Sequence, residues 1–282
     1  MTVRVDAHHH VWDLSVRDQP WTAELPPLRR SFALAELEPA LAAEGIGATV
    51  LVQTVDVPEE TPELLALAAA NPVVAGVVGW VDLTAPDVAD RLAALKGAPG
   101  GEWLGGIRHG VQGEPDPRWL CRPDVRRGLA AVAAAGLVYD LLVVPVQLPA
   151  AVETVRALPE LRCVLDHAGK PRIAAGERQP WAADIAALGR ADNVAVKLSG
   201  LVTEADLVAW TPDDIRPYAD DVLTAFGPER TMFGSDWPVC LLAAGYPRVA
   251  ELARTLIAPL SAAEQDAVLG ATAARWYGLD LL

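Results

Sequence analysis

The sequence predicts an α/β chain folded as a (β/α)8 barrel. Two observations carry that expectation. Eight short runs rich in β-branched residues recur along the chain, and each is followed by an Ala/Leu-rich stretch with apolar residues at i, i+3, i+4 and i+7. The runs are also nearly all apolar, as expected for parallel strands covered on both faces. Eight strand–helix units in this length fit a barrel of the TIM type.

The strands are expected at 3–7, 49–53, 73–81, 104–108, 137–144, 162–166, 194–198 and 231–234. The helical stretches lie at 35–44, 60–70, 86–96, 124–135, 148–157, 181–190, 213–225 and 246–257. Ser31, Thr61, Thr84 and Thr211 stand near helix starts as candidate N-caps, and Gly45, Gly136 and Gly227 follow helical runs. No linker or repeat interrupts the pattern, so residues 1–282 read as one domain. Two long connections, 13–33 after strand one and 110–123 after strand four, are expected to be active-site loops.

Composition narrows the function classes. Hydrophobic residues make up 52% and charged residues 21%, which excludes a disordered chain. With 23 basic against 37 acidic residues the formal charge is −14, so nucleic acid is not an expected partner. No run is long and apolar enough to span a membrane. The start, MTVRVDAHHHVW, lacks the apolar core of a signal peptide, and the three cysteines are far apart. A cytoplasmic protein, monomeric or a small homo-oligomer, is the expectation.

Barrels of this kind place their chemistry at the C-terminal ends of the strands. Period two puts Asp6, His8 and His10 on one face of strand one, with Ala7 and His9 on the other. Two imidazoles at i and i+2 can converge on one cation, and His9 is expected to be structural. In Gly234-Ser235-Asp236-Trp237-Pro238, alternation carries the Asp236 carboxylate to the mouth, where it can bind a metal or take a proton from water. A turn-forming Asp is the plainer reading. His167 and Lys170 end strand six, and Arg108 beside His109 ends strand four. An Arg there suits a carboxylate or a polarised carbonyl, or else a rim ion pair. Gln53, Asp82, Asp140 and Lys197 are polar residues in or ending apolar strands, and the last two can form a buried pair. Trp12, Trp21, Trp80, Trp119 and Trp237 lie at strand ends or in the long loops, as core or as walls of a sugar pocket.

The stretches DAHHHVWD, GIRHGVQ, VLDHAGKP, VKLSGLVTEA and FGSDWPVC resemble, in order and spacing, the amidohydrolase superfamily. The branch they resemble is the amidohydrolase-2 type that includes sugar lactonases of the L-fuconolactonase and L-rhamnonolactonase kind. The resemblance spans about residues 3–278. It implies a barrel that opens a small polar lactone, an aldono-1,4- or 1,5-lactone, in carbohydrate metabolism. Carried over, it places any metal on His8, His10, His167 and Asp236, and catalysis on Asp236, His167, His109 and Arg108. Substrate binding falls to Arg108, Lys170, Gln53, Trp21, Trp80 and Trp237. One divalent ion is the most this set supports, Zn first and Mn second, with no organic cofactor. Strand four ends without a carbamylatable Lys, and strand five ends in Val143-Val144-Pro145 without a His, so a two-metal centre is not implied. Some lactonases of the branch use no metal. Two alternatives stand beside this reading: a metal-dependent decarboxylase of an unsaturated acid, and a non-catalytic barrel that binds a sugar acid.

Overall fold

The computed structural model describes residues 2–281. Eight parallel strands pair in chain order: β1 (Arg4–His9), β2 (Ile46–Val52), β3 (Val74–Gly79), β4 (Leu104–His109), β5 (Val138–Leu141), β6 (Cys163–Leu165), β7 (Val194–Leu198) and β8 (Thr231–Phe233). A parallel bridge between His9 and Trp237, with the His10 N–H donating to the Trp237 carbonyl at 2.7 Å, brings the last strand back to the first. The helices are α1 (Leu34–Glu44), α2 (Glu60–Ala70), α3 (Val88–Gly97), α4 (Pro123–Ala134), α5 (Leu148–Ala157), α6 (Trp181–Gly189), the short α7 (Leu201–Glu204), α8 (Pro212–Phe226) and α9 (Tyr246–Ile257). Every expected strand and helix is present. The largest differences are the second strand, which already begins at Ile46, and the fifth, which ends at Leu141.

Helix starts follow the expectation less well. Thr211 does open α8, with its Oγ1 and N–H both bonded to Asp214 at 2.7 and 2.8 Å. Thr61 lies inside α2, where its hydroxyl accepts the Trp80 N–H at 2.8 Å. Thr84 bonds Asp82 and Ser31 bonds Asp13, so neither caps a helix. Gly45, Gly136 and Gly227 all carry the positive φ that suits the residue after a helix.

The C-terminal segment was not assigned from sequence. It forms α10 (Ala262–Asp266), a π turn (Ala267–Ala271) and α11 (Thr272–Tyr277). Ala273, Trp276 and Tyr277 pack with Val5, Ala48, Val50, Val78, Val138, Val164, Ala195 and Met232 inside the barrel. Tyr277 reaches far enough to donate its hydroxyl to Asp140 Oδ1 at 2.8 Å. The N-terminal end of the barrel is therefore plugged by apolar side chains, and the opposite end is left for a site.

Candidate active site at the barrel mouth

Strand β1 does not alternate as expected. Its register against β2 breaks between Asp6 and His9, so three steps on β1 match two on β2, from Thr49 to Leu51. The extra residue puts Asp6 and His8 on different sides. Asp6 accepts the Ser235 N–H at 2.8 Å and the Tyr246 hydroxyl, at the start of α9, at 3.1 Å. Ala7, expected opposite His8, packs inside the barrel. Asp6 thus anchors the loop after β8, and burial pushes its carboxyl up to about 6. His8 and His10 still converge, with Nε2 atoms 3.1 Å apart. His9 points away and bonds Thr49 Oγ1 at 2.9 Å.

The loop after β8 is laced to β1 along its backbone. The Asp236 N–H donates to the His8 carbonyl at 2.8 Å. Gly234 is required here, because a Cβ would stand 2.7 Å from His8 Cβ. The result places Asp236 Oδ1 3.5 Å from His10 Nε2, 3.8 Å from His8 Nε2 and 3.9 Å from His167 Nε2. Gly200 makes room for His167, whose Nδ1 would lie 2.6 Å from a Cβ there.

The far side of each ring is held. His10 Nδ1 faces the Val52 carbonyl at 2.7 Å, so it carries the proton and leaves the Nε2 lone pair free. His167 Nδ1 meets Ser199 Oγ at 2.9 Å, and His8 Nδ1 lies 3.3 Å from Asp166 Oδ1. Partners of this kind fix ring orientation at metal sites. Burial first, then the Lys197 charge, hold the His8 imidazole well below its ordinary value. Burial lowers His167 to about 4. Burial raises Asp236, but His167 and His10 outweigh it and leave the carboxyl below the usual range. Imidazoles at His8 and His167 held below their ordinary values, beside a carboxylate, suit a cation. Tetrahedral zinc with bonds near 2.05 Å would separate its ligand atoms by roughly 3.4 Å, close to the spacings here. His8, His10 and Asp236 fit a single divalent ion, with His167 Nε2 3.9 Å from the same Asp236 oxygen.

Behind the rings lies a fully buried charge cluster. Lys197 Nζ stands 2.6 Å from Asp140, 3.0 Å from Asp166 and 3.1 Å from His8 Nδ1. Arg108 joins it through Asp166 Oδ2 at 3.1 Å, and its Nη2 reaches Gln53 Oε1 at 3.1 Å. The Asp140–Lys197 pair was expected from sequence; the part of Asp166 was not. Its signal was the acid immediately before a strand-end His.

Among the described residues, the non-glycine positions with left-handed backbone are His167, Ala168, Lys170 and Asp236, all at the mouth. Such conformations persist where surrounding structure enforces them, and they concentrate at functional sites.

The mouth opens into a cavity of about 510 Å³ lined by His10, Trp21, Gln53, Arg108, His167, Lys170 and Asp236 among others. Both long loops contribute, through Pro20, Trp21 and Leu25 and through Gly110, Gln112 and Gly113. Four expected residues are not among the lining: His8, which is fully buried behind it, and His109, Trp80 and Trp237. His109 faces away from Arg108 because neighbours on a strand alternate. It bonds Glu114 at 2.8 Å, stacks on Trp119 at 4.3 Å and receives the Trp80 indole N–H at 3.1 Å. Trp80 is committed to that contact, and Trp237 packs edge-on against Phe32. A second cavity of about 270 Å³, beside Trp12, Phe32 and Leu64, has none of the converging groups. Sequence reasoning missed Glu204, a cavity residue on α7, although it lay within a quoted stretch.

A sequence model of the amidohydrolase family matches residues 5–279. The chain belongs to the amidohydrolase family. It is 43% identical over 289 residues to an L-fucono-1,5-lactonase of Burkholderia multivorans, covering 98% of this chain and 96% of that one. An L-fucono-1,5-lactonase of Burkholderia ambifaria is 41% identical, over 86% of this chain and 83% of its own. A crystal structure of a Burkholderia multivorans amidohydrolase with bound Zn superposes with TM-score 0.93 at 41% identity, covering 99% of this amidohydrolase and 100% of that chain.

Among the described residues no helix is long and apolar enough to cross a membrane.

Proposed function

We propose that this amidohydrolase opens a small neutral sugar lactone, of the aldono-1,5-lactone class, to the hydroxy acid. The observation that carries the proposal is the convergence of three imidazole Nε2 atoms on Asp236 Oδ1 at the mouth of a lined cavity. The likeness to two L-fucono-1,5-lactonases supports the substrate class. Asp236 accepts the proton of the attacking water as the carbonyl carbon becomes tetrahedral. The ring C–O bond then breaks, and Asp236 returns the proton to the departing ring oxygen. A divalent ion held by His8, His10, His167 and Asp236, Zn before Mn, would supply Lewis acidity at the carbonyl. Arg108 brings hydrogen-bond donors to the same space, and its buried Nε has no partner among the described residues. Donors there can grip the lactone's oxygens about equally in ground and transition states. Gln53, Lys170 and Trp21 bind the rest of the ring.

The cavity's charges favour this reading over decarboxylation. Arg108 and Lys170 face Asp56, Glu204 and Asp236, so the lining carries more negative than positive groups. That mixture suits a neutral, hydroxyl-rich ring better than an anionic acid. The test is a panel of aldono-1,4- and 1,5-lactones with a pH indicator, with and without chelator. Acid release from a 1,5-lactone is expected, and CO2 release from unsaturated acids with no lactone opening would overturn the proposal.

A further inference from the structure

Lys170 and Glu204 sit on neighbouring loops, after β6 and β7, and both line the large cavity. Each side chain is only 25% exposed. Their nearest charged atoms, Nζ and Oε1, are 3.9 Å apart. That gap is too long for a direct hydrogen bond, and neither side chain makes another among the described residues. A part-buried ammonium and carboxylate that line a cavity and bond no protein group are left for water or a ligand to complete. Burial raises the Glu204 carboxyl, with the Lys170 charge opposing. Lys170 has a left-handed backbone, φ 53°, the kind of strained position that concentrates at functional sites.

We propose that Lys170 and Glu204 together form a hydroxyl clamp that selects lactones carrying a ring or side-chain diol. This rests on the lactonase reading and extends it to specificity. A hydroxyl is both acceptor and donor, so it can take a proton bond from the Lys170 ammonium and give one to the Glu204 carboxylate. Two hydroxyls on adjacent carbons can engage one residue each. Both bonds are charge-assisted, and an unsubstituted ring would leave both groups buried and unmatched. Glu204 is thereby a substrate-binding residue on α7, while the bond-breaking chemistry stays with Asp236.

The experiment compares an aldono-1,5-lactone with δ-valerolactone, the same ring without hydroxyls, on wild type, Glu204→Gln and Lys170→Met. The quantity read is the ratio of kcat/KM for the two lactones within each preparation, which cancels the active fraction. Each variant should lower that ratio about 10- to 100-fold, the scale of one charge-assisted hydrogen bond. The fall should appear mainly in KM. The double variant should lose less than the product of the two single losses, because both groups grip the same hydroxyls. Ratios equal to wild type, or equal losses on both lactones, overturn the clamp. Wild type that opens neither lactone refutes the parent reading instead. Calorimetric binding of the sugar acid against 5-hydroxypentanoate then reads the clamp, which requires preference for the sugar acid to fall in both variants.

Discussion

Replacing Lys197 by Met removes one charge from the centre of the barrel. Asp140, Asp166, Lys197 and His8 are all fully buried. Two cations, Lys197 and Arg108, balance two carboxylates, with Lys197 shared between them and Arg108 on Asp166 alone. After Lys197→Met, Asp140 keeps only the Tyr277 hydroxyl, at 2.8 and 2.9 Å. Breaking a buried pair by removing one partner costs about 3–5 kcal/mol, mostly the uncompensated charge. For a domain of this size that lowers Tm by roughly 5–10 °C. The loss should also depend on pH. Burial already raises Asp140 to about 6 despite Lys197. A carboxyl raised above its unfolded value stabilises the fold below that unfolded value, and the contribution disappears as pH rises through the folded one. Removing Lys197 moves the folded value higher, so the deficit should be larger at pH 8 than at pH 5. Adding Asp140→Asn removes the orphaned charge and should recover at least half of the lost Tm. Scanning calorimetry of the single and double variants at both pH values is the assay. A single variant within 2 °C of wild type (about the shift for 1 kcal/mol) would refute the reasoning. So would a double variant less stable than the single one.

The remaining predictions concern the mouth. His8→Ala and His10→Ala should each lower kcat/KM by about 10²-fold or more and reduce bound metal, read by elemental analysis of the purified protein. His9→Gln loses one neutral bond to Thr49, worth about 1 kcal/mol, so melting should shift while turnover holds. Turnover that depends on His9 instead would remove the metal assignment. Arg108→Met should raise KM about 10- to 100-fold, more than Lys170→Met, because its fork makes several directed bonds. A steep kcat loss with KM intact would place Arg108 on the oxyanion itself.

The barrel was legible because its signal is repetitive: each apolar strand and each helical stripe has a period of its own. The residues that converge at the mouth, His8, His10, His167 and Asp236, were legible where they sit on strand ends. What failed depended on neighbours. The bulge in β1 is set by pairing with β2 and by the loop after β8, so a strict period of two misplaced Asp6 and Ala7. His109 was recoverable from the same alternation, since Arg108 and His109 cannot both face inward. Glu204 was missed because four-residue α7 carries no periodic pattern, and its position at the cavity follows from the turn at Gly200. Thr61 looks like a helix cap in sequence, but the Trp80 backbone on β3 claims its hydroxyl.

The central claim is that Asp236 moves the proton during lactone opening. Its most direct test is steady-state kinetics of Asp236→Asn on the best aldono-1,5-lactone from the panel. Asn tolerates the left-handed backbone at φ 58°, so the fold should survive and melting should stay near wild type. The account predicts a fall in kcat of at least ~10²-fold, the lower end of general-base contributions. Wild-type turnover by a folded Asp236→Asn protein would contradict it.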